Sequence, residues 1–223
     1  MIKIENVDVC GWKAAIRGMR NPMNSWEKSD SEFGVSELTG KTTVNIGNND
    51  IELMRRLSKA GTDHSKFMRM ITVTADITAP LYWYKEYDTY KVGTVANSCS
   101  TMHKIHDKEF TMDDFSREHL YRVVDNTGIR WDCLGSLEHT IQHLNAAREA
   151  YLNSKDKGIW YQMIQLLPSS YNQRRTVQLN YQVLKNMYHA RKKHKLDEWR
   201  EFCGWIESLP YSELITGVGK DAE

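Results

Sequence analysis

The sequence predicts an α+β fold in which helices predominate and a small, mainly antiparallel sheet comes from the N-terminal third. Two segments of that third alternate apolar with polar residues, as strands do, whereas most of the second half repeats its apolar residues at helical spacing. The chain has 223 residues and 40% of them are hydrophobic, which suffices for one sizeable core. We therefore predict a single domain over residues 1–223.

The N-terminal third opens with a predicted strand. Residues Ile2 to Val9 alternate in polarity, and Gly11 begins a turn into a helix over Trp12 to Met19. The polar residues from Asn21 to Gly34 indicate a loop. A second helix is predicted over Ile51 to Ala60, because Asn and Asp side chains precede it and a glycine follows it.

The middle of the chain predicts a second strand and then more helices. The strand covers Met70 to Ile77, which is alternating and β-branched, and Ala79-Pro80 separates it from an aromatic stretch, Leu81 to Tyr90. Further on, three segments bounded by glycines or polar residues have helical spacing. These predicted helices cover Phe115 to Val124, Leu137 to Leu152 and Ile159 to Leu167.

The longest helical pattern follows Leu167-Pro168 and ends at about Arg191. When its residues are placed at about 100° per residue, the apolar side chains from Arg174 to Arg191 fill more than half of the circumference. We therefore predict a long central helix over this segment. A final helix is predicted over Asp197 to Ser208, closed by Pro210.

Polar side chains interrupt the apolar arc of this predicted helix. Asn180 and Arg191 fall near its middle, on one line and roughly 16 Å apart at about 1.5 Å per residue, and Arg174 and Asn186 lie at its edges. A buried guanidinium needs a partner, and a phosphate or a pyrimidine carbonyl can satisfy its fork with two hydrogen bonds. The alternatives are that Arg174 and Arg191 reach water from the helix ends, or pair with Asp or Glu elsewhere. The residues alone leave these alternatives open.

Composition argues against several classes of function. The 30 Lys and Arg residues against 29 acidic ones leave a net charge of +1, which gives no field for attracting a nucleic acid. The four cysteines form no C-x-x-C pair and indicate neither a disulfide framework nor a zinc site. No apolar run approaches the length of about 18 residues that a membrane span needs. We expect a cytoplasmic protein that binds no membrane.

Two constellations with known chemistry are incomplete. His139 and His143 have the i, i+4 spacing of metal ligands, but no Glu follows the first of them as in H-E-x-x-H, so no metal is predicted. Ser100 lacks a clear pattern of His and Asp partners, which argues against a hydrolase triad.

The C-terminal third resembles the signature of the FAD-dependent thymidylate synthases, flavin enzymes that methylate dUMP. That signature is Leu-Pro followed by Arg, Asn, Leu, Asn and Arg, and the chain matches it at the same intervals with Leu167-Pro168, Arg174, Asn180, Leu184, Asn186 and Arg191. The resemblance implies that Arg174 and Arg191 bind dUMP and that Asn180 and Asn186 bind the flavin. In the family an Arg usually stands two residues after the first Asn. This chain has Gln182 there, which weakens the contact that the Arg would make.

A second match lies upstream, from Gly61 to Arg69. With the strand and Ala79-Pro80 that follow, it is similar to the family order Gly-His-x-Ser/Thr-Pro-Phe-Glu-His, strand, Ala-Pro. By this resemblance Ser65 is a flavin ligand. Met68 replaces the Glu, so one flavin-facing carboxylate is lost.

The family's hallmark motif follows that strand and is eroded in this chain from Thr89 to Thr101. When the motif is aligned from Ala79-Pro80 without a gap, Lys91 is a conservative match. A shift of one residue aligns Asn97 and Ser100 with the Asn and the second Ser of the motif. Glu86 stands where a Gln commonly precedes the motif. The resemblance implies that Glu86 and Ser100 bind dUMP and that Lys91 and Asn97 bind FAD.

The resemblance implies a reaction in which NADPH reduces FAD, and methylenetetrahydrofolate supplies the methylene that becomes the methyl group of dTMP. It also implies a homotetramer with sites formed between subunits. Because the hallmark is eroded, the alternative is a non-catalytic or altered-specificity homologue that binds a related pyrimidine nucleotide or flavin. A third alternative is a helical interaction protein whose resemblance to the family is accidental.

Overall fold

The computed structural model describes residues 2–35 and 42–217. Its α-helices are α1 Trp12–Arg20, α2 Asn48–Lys59, α3 Leu81–Tyr87, α4 Cys133–Ser154, α5 Lys157–Leu166, α6 Tyr181–Arg191, α7 Asp197–Ser208 and α8 Glu213–Thr216. Its strands are β1 Lys3–Cys10, β2 Glu32–Val35, β3 Thr42–Asn45, β4 Thr72–Pro80, β5 Val95–Ser98, β6 Arg122–Asp125, β7 Gly128–Asp132 and β8 Asn172–Asn180. Short 3-10 helices cover Asn21–Met23, Trp26–Lys28, Ser65–Arg69 and Met112–Asp114. The predicted α+β class is confirmed.

The strands form one larger sheet and two hairpins. The larger sheet has four strands in the order β1-β4-β8-β5. The strands of each hairpin, β2 with β3 and β6 with β7, pair antiparallel. Phe33 lies opposite Val44 in the first hairpin, and Val123 lies opposite Trp131 in the second.

Most predicted elements are confirmed with small shifts of their ends. These are β1, β4, α1, α2, α4, α5 and α7, and α7 has the predicted bounds. The predicted loop from Asn21 to Gly34 contains two 3-10 turns and the start of β2. The predicted helix from Phe115 to Val124 is wrong, because Phe115 forms an isolated bridge to Tyr171 and β6 begins at Arg122. The β-branched pair Val123 and Val124 favours a hairpin with β7 over a helix.

The predicted long helix from Arg174 to Arg191 is wrong in its first half. Residues Asn172–Asn180 form β8, and the helix α6 begins only at Tyr181. In β8 the side chains of Gln173, Val177 and Leu179 are buried, whereas those of Arg174, Thr176 and Gln178 are exposed. This alternation is the period of a strand. The long helix of the fold is instead α4, with 22 residues.

The chain divides into two compact units. Among the described residues, unit 1 comprises 2–3, 77–89 and 97–175, and unit 2 comprises 4–35, 42–76, 90–96 and 176–217. The predicted single domain stays a prediction. Unit 1 has its own hydrophobic core, formed by Ile105, Phe110, Phe115, Leu137, Ile141, Leu144 and Met163. In the part of the chain that the structure describes, no helix is long and apolar enough to cross a membrane.

The core of unit 2 surrounds α6, which packs against α7, α8 and the 3-10 helix at Ser65–Arg69. Leu184 and Met187 of α6 are fully buried. The Trp12 ring contacts the Tyr181 ring edge-on, with centroids 5.3 Å apart. Helix α6 is therefore a central helix, as predicted for this segment, although it is shorter.

A buried ion pair anchors the N-terminal end of α2. Arg20 Nε donates to Asp50 Oδ1 at 2.7 Å, and the hydroxyls of Ser29 and Ser31 donate to Asp50 Oδ2 at 2.7 and 2.6 Å. Burial by itself raises the pKa of Asp50, but the hydrogen bonds from Ser31, Ser29 and Arg20 outweigh it and lower the pKa below its usual value. The other end of α2 supplies Ser58 and Lys59 to the site described below.

Candidate functional site

The first predicted flavin ligand, Asn180, lies where β8 ends and α6 begins. Its side-chain oxygen accepts a hydrogen bond from Val183 N at 3.0 Å and so caps the helix. Its side-chain nitrogen lies 3.5 Å from Gly93 O. Gly93 has a φ of +79°, and a Cβ at this position would lie 2.8 Å from the Asn180 nitrogen. Asn180 therefore joins the 90–96 segment of unit 2 to the start of α6.

Arg191, a predicted nucleotide ligand, lies at the other end of α6. Its Nε donates to the Tyr90 hydroxyl at 2.9 Å. Its guanidinium carbon lies 4.9 Å from the Trp199 ring centroid and 5.6 Å from the Tyr90 centroid. Cation–π contacts of this kind stabilise a cation and fix its orientation. Arg191 is half-buried, and the Tyr90 and Trp199 rings fix the orientation of its guanidinium.

A cavity of about 410 Å³ in unit 2 contains two further predicted flavin ligands, Ser65 and Asn186. The buried hydroxyl of Ser65 donates to Gln182 Oε1 at 2.8 Å, and Gln182 Nε2 donates to Asn186 Oδ1 at 3.2 Å. The two predicted ligands are thus joined through the residue that replaces the family's Arg. We call this space the α6 cavity; its lining residues are Ser58, Lys59, Gly61, Thr62, Ser65, Gln182, Lys185, Asn186, His189 and Gly217.

Lys185 belongs to the α6 cavity but was missed by the sequence analysis. It lies one turn after Gln182, and its ammonium donates to the carbonyl oxygen of Ser58 near the end of α2. Burial lowers the pKa of Lys185. The available signal was its position among the apolar residues of α6, where a lysine is unusual.

A second cavity, of about 270 Å³, lies in unit 1 and contains two predicted nucleotide ligands, Ser100 and Arg174. Ser100 Oγ accepts hydrogen bonds from His103 N at 2.8 Å and Met102 N at 3.3 Å, which leaves its own hydrogen to donate. We call this space the β8 cavity; its lining residues are Thr78, Cys99, Ser100, Thr101, Lys108, Asp113, Asp114, Tyr171, Asn172, Gln173 and Arg174.

Backbone and side-chain hydrogen bonds connect Cys99, which precedes Ser100, to Gln173 and Arg174 of β8. Cys99 N donates to Arg174 O at 2.9 Å, and Gln173 Nε2 donates to Cys99 O at 2.7 Å. These bonds place Ser100 beside the exposed face of β8. Charges of both signs line this cavity, since Lys108 pairs with Asp114 there.

Arg175, the neighbour of Arg174, has a different environment on the opposite face of β8. Its Nη1 donates to Asp88 Oδ1 at 2.7 Å, and its Nε donates to Gln173 Oε1 at 2.9 Å. Its guanidinium carbon lies 3.7 Å from the Tyr84 ring centroid. Arg175 is therefore held by protein groups, and Arg174 lines the β8 cavity.

The other predicted site residues lie outside both cavities. Glu86 is half-buried in α3, Asn97 is exposed in β5, and Lys91 is exposed in the 90–96 segment of unit 2. Within the described residues, no group of three or more His, Cys, Asp or Glu could hold a metal ion.

Comparison with solved structures finds the same fold in thymidylate synthases. Thymidylate synthase X from Helicobacter pylori, in a structure with FAD and dUMP, has a TM-score of 0.66 at 16% identity, covering 96% of each chain. A second structure of that flavin-dependent enzyme with FAD and dUMP has a TM-score of 0.65 at 16% identity, covering 95% of this chain and 96% of that one. The UMP/dUMP methylase PolB from Streptomyces cacaoi, bound with 5-Br dUMP, has a TM-score of 0.60 at 16% identity, covering 98% and 96%.

Sequence comparison adds nothing to this likeness. No family model matches the chain, and no curated protein matches it. The chain therefore shares the fold of the flavin-dependent thymidylate synthases over nearly its whole length.

Proposed function

We propose that this protein is an FAD-dependent enzyme that methylates dUMP to dTMP, with methylenetetrahydrofolate as the carbon donor and NADPH as the reductant. One observation carries the proposal: residues that are predicted to bind the same small molecule line the same cavity. Ser100 and Arg174, both assigned to dUMP by resemblance, line the β8 cavity, and Ser65 and Asn186, both assigned to FAD, line the α6 cavity. The assignments rest on the resemblance of the sequence to that family, so the grouping of these residues in the structure supports the proposal.

The donor groups of the α6 cavity fit a flavin dinucleotide. Amide, hydroxyl and ammonium groups line it, and these suit the phosphate and ribose oxygens of such a ligand. Pockets for small ligands usually measure about 300 to 1,000 Å³, so the α6 cavity can take part of the dinucleotide. The fold agrees with this proposal, because two structures with the same fold contain FAD and dUMP.

The protein's contribution to this reaction is orientation and electrostatic stabilisation. Arg174 and the Ser100 hydroxyl bind the nucleotide in the β8 cavity. Arg191 is assigned to the nucleotide by the resemblance alone, and Tyr90 and Trp199 fix the direction of its guanidinium. Asn180 and Asn186 support the flavin at the start of α6. FAD supplies the electrons that complete the methyl group. We further propose a homotetramer in the cytoplasm.

The alternative is a homologue that binds the ligands without catalysis or accepts another nucleotide. The family's hallmark motif begins Arg-His-Arg, and this chain has Thr89 and Lys91 at the positions of the two arginines. These replacements favour the alternative, because Thr89 supplies no guanidinium and Lys91 offers only a point charge. A neighbour described as a UMP/dUMP methylase makes UMP the first alternative nucleotide to test.

Reconstitution with FAD tests the proposal directly. Purified protein mixed with FAD and passed through a desalting column is expected to keep an oxidised-flavin spectrum, which dUMP then shifts. Formation of dTMP with NADPH and methylenetetrahydrofolate separates the enzyme from the binding homologue. If the protein retains no flavin and dUMP causes no spectral change, the proposed function is wrong.

A further inference from the structure

The α6 cavity has an unusual charge distribution. Its lining includes Lys59 and Lys185 but no Asp or Glu among the described residues. The chain as a whole has nearly equal numbers of positive and negative residues, 30 Lys and Arg against 29 Asp and Glu. An unequal distribution in one cavity therefore marks a local site for an anion.

Lys185 is the cation that the structure places most firmly in this cavity. It projects from the most buried part of α6, next to Leu184, and it is partly buried itself. Its ammonium makes one hydrogen bond, to Ser58 O, in the structure as described, whereas an ammonium carries three donors. The lowered pKa of Lys185 agrees with this desolvated position, and an anion nearby would stabilise its charged form.

The neutral groups of the cavity are also oriented as donors. Ser65 donates to Gln182 and Gln182 donates to Asn186 Oδ1. Because the oxygen of the Asn186 amide accepts this bond, its nitrogen is left to donate at the cavity wall. The chain of hydrogen bonds thus starts at a buried hydroxyl and ends in an NH₂ group, the polarity that an anionic oxygen requires.

We propose that the α6 cavity binds the diphosphate of the flavin dinucleotide and that Lys185 supplies the cation that pairs with it. This inference rests on the proposed function. In this proposal Lys185, one turn after Gln182, carries the positive charge that pairs with the diphosphate. An arginine in place of Gln182 would supply the same charge.

Isothermal titration calorimetry at low salt tests this inference by measuring the affinity for FAD of the wild type and three variants, Lys185→Met, Lys185→Arg and Lys193→Met. The Lys185→Met variant is expected to bind FAD about tenfold more weakly than the wild type, since a hydrogen bond to a charged group is lost. Lys185→Arg keeps the charge and is expected to regain most of the affinity. Lys193→Met removes an exposed lysine outside the cavity and is expected to bind FAD like the wild type.

ADP distinguishes diphosphate recognition from flavin recognition. It is expected to compete with FAD on the wild type, whereas adenosine, which lacks the diphosphate, is not. The inference is overturned if Lys185→Met binds FAD as tightly as the wild type, if Lys193→Met weakens binding equally, or if ADP does not compete. A lower thermal midpoint of unliganded Lys185→Met, with FAD affinity unchanged, would also overturn it and assign Lys185 to the α2 contact alone.

The same titrations separate this inference from the proposed function. If the wild type binds no FAD but binds ADP, and Lys185→Met does not, the proposed function and the assignment to a flavin dinucleotide fail, whereas the role of Lys185 as the cation of a diphosphate site stands. If the wild type binds neither FAD nor ADP, both are wrong.

Discussion

β8 and α6 are consecutive in the chain, yet they bury their side chains by different rules. In β8 the buried residues Gln173, Val177 and Leu179 alternate with exposed ones, so that Arg174 and Arg175 point to opposite faces. In α6 the residues Tyr181 to Leu184 are all buried, and the exposed positions begin at Asn186. The polar residues of one sequence signature therefore lie on elements of two kinds. Strand alternation determines the direction of the Arg174 side chain, and helical periodicity determines the directions of Asn186 and Arg191.

The largest expected effect tests the alternation in β8. Leu179→Ala should lower the free energy of unfolding by about 2 to 5 kcal/mol, because the side chain is fully buried and a cavity remains. Gln178→Ala, its exposed neighbour, should change stability by less than about 0.5 kcal/mol. Urea unfolding of both variants measures the contrast. Similar losses for the two would contradict the strand.

A smaller effect is expected at the C-terminal part of α6. The Tyr188 hydroxyl donates to Glu207 Oε1 at 2.7 Å, and burial together with this hydrogen bond raises the pKa of Tyr188 to about 12. Tyr188→Phe should lower the free energy of unfolding at pH 8 by about 1.5 to 3 kcal/mol, the range for a hydrogen bond to a charged group.

The pH dependence of this loss has a definite sign. The pKa of Tyr188 is higher in the folded protein than its unfolded value of about 10, so the stabilisation is complete below pH 10 and is lost as the pH rises through 12. The difference between wild type and Tyr188→Phe should therefore shrink above pH 10 in urea unfolding. Tyr161→Phe, at an exposed tyrosine, is the control. A difference that stays constant up to pH 11.5 would contradict the assignment.

Arg191→Ala tests whether the last residue of the signature binds dUMP. If the proposed function holds, it should weaken dUMP binding by at least about 1.5 kcal/mol, since a charged hydrogen-bond donor is lost. Lys193→Ala, two residues later, should bind dUMP like the wild type. Calorimetric titration with dUMP compares them, and an unchanged affinity of Arg191→Ala would remove the end of α6 from the nucleotide site.

The sequence predicted the elements whose patterns are long and have clear ends, such as α7, β4 and α2. It failed from Arg174 to Asn180 because Val177 and Leu179 have a spacing that fits a strand and also continues into the helical spacing of Val183 and Leu184. The distinction comes from pairing with β4 and β5, which are distant in sequence. The resemblance to a known family assigned residues to ligands, but it could not reveal that Arg175 pairs with Asp88, or that Lys185 donates a hydrogen bond to Ser58 of α2.

The smallest expected effect concerns Asn180, where the two elements join. Asn180→Ala should lower the free energy of unfolding by about 1 kcal/mol through loss of the helix cap, whereas Asn180→Ser should keep most of the stability because Ser is also a good cap. The two roles of Asn180 separate in the serine variant, which retains the cap and lacks the amide NH₂. A serine variant of wild-type stability that binds FAD more weakly would make Asn180 a flavin ligand as well as a cap. Wild-type FAD affinity in that variant would limit Asn180 to joining β8 and α6.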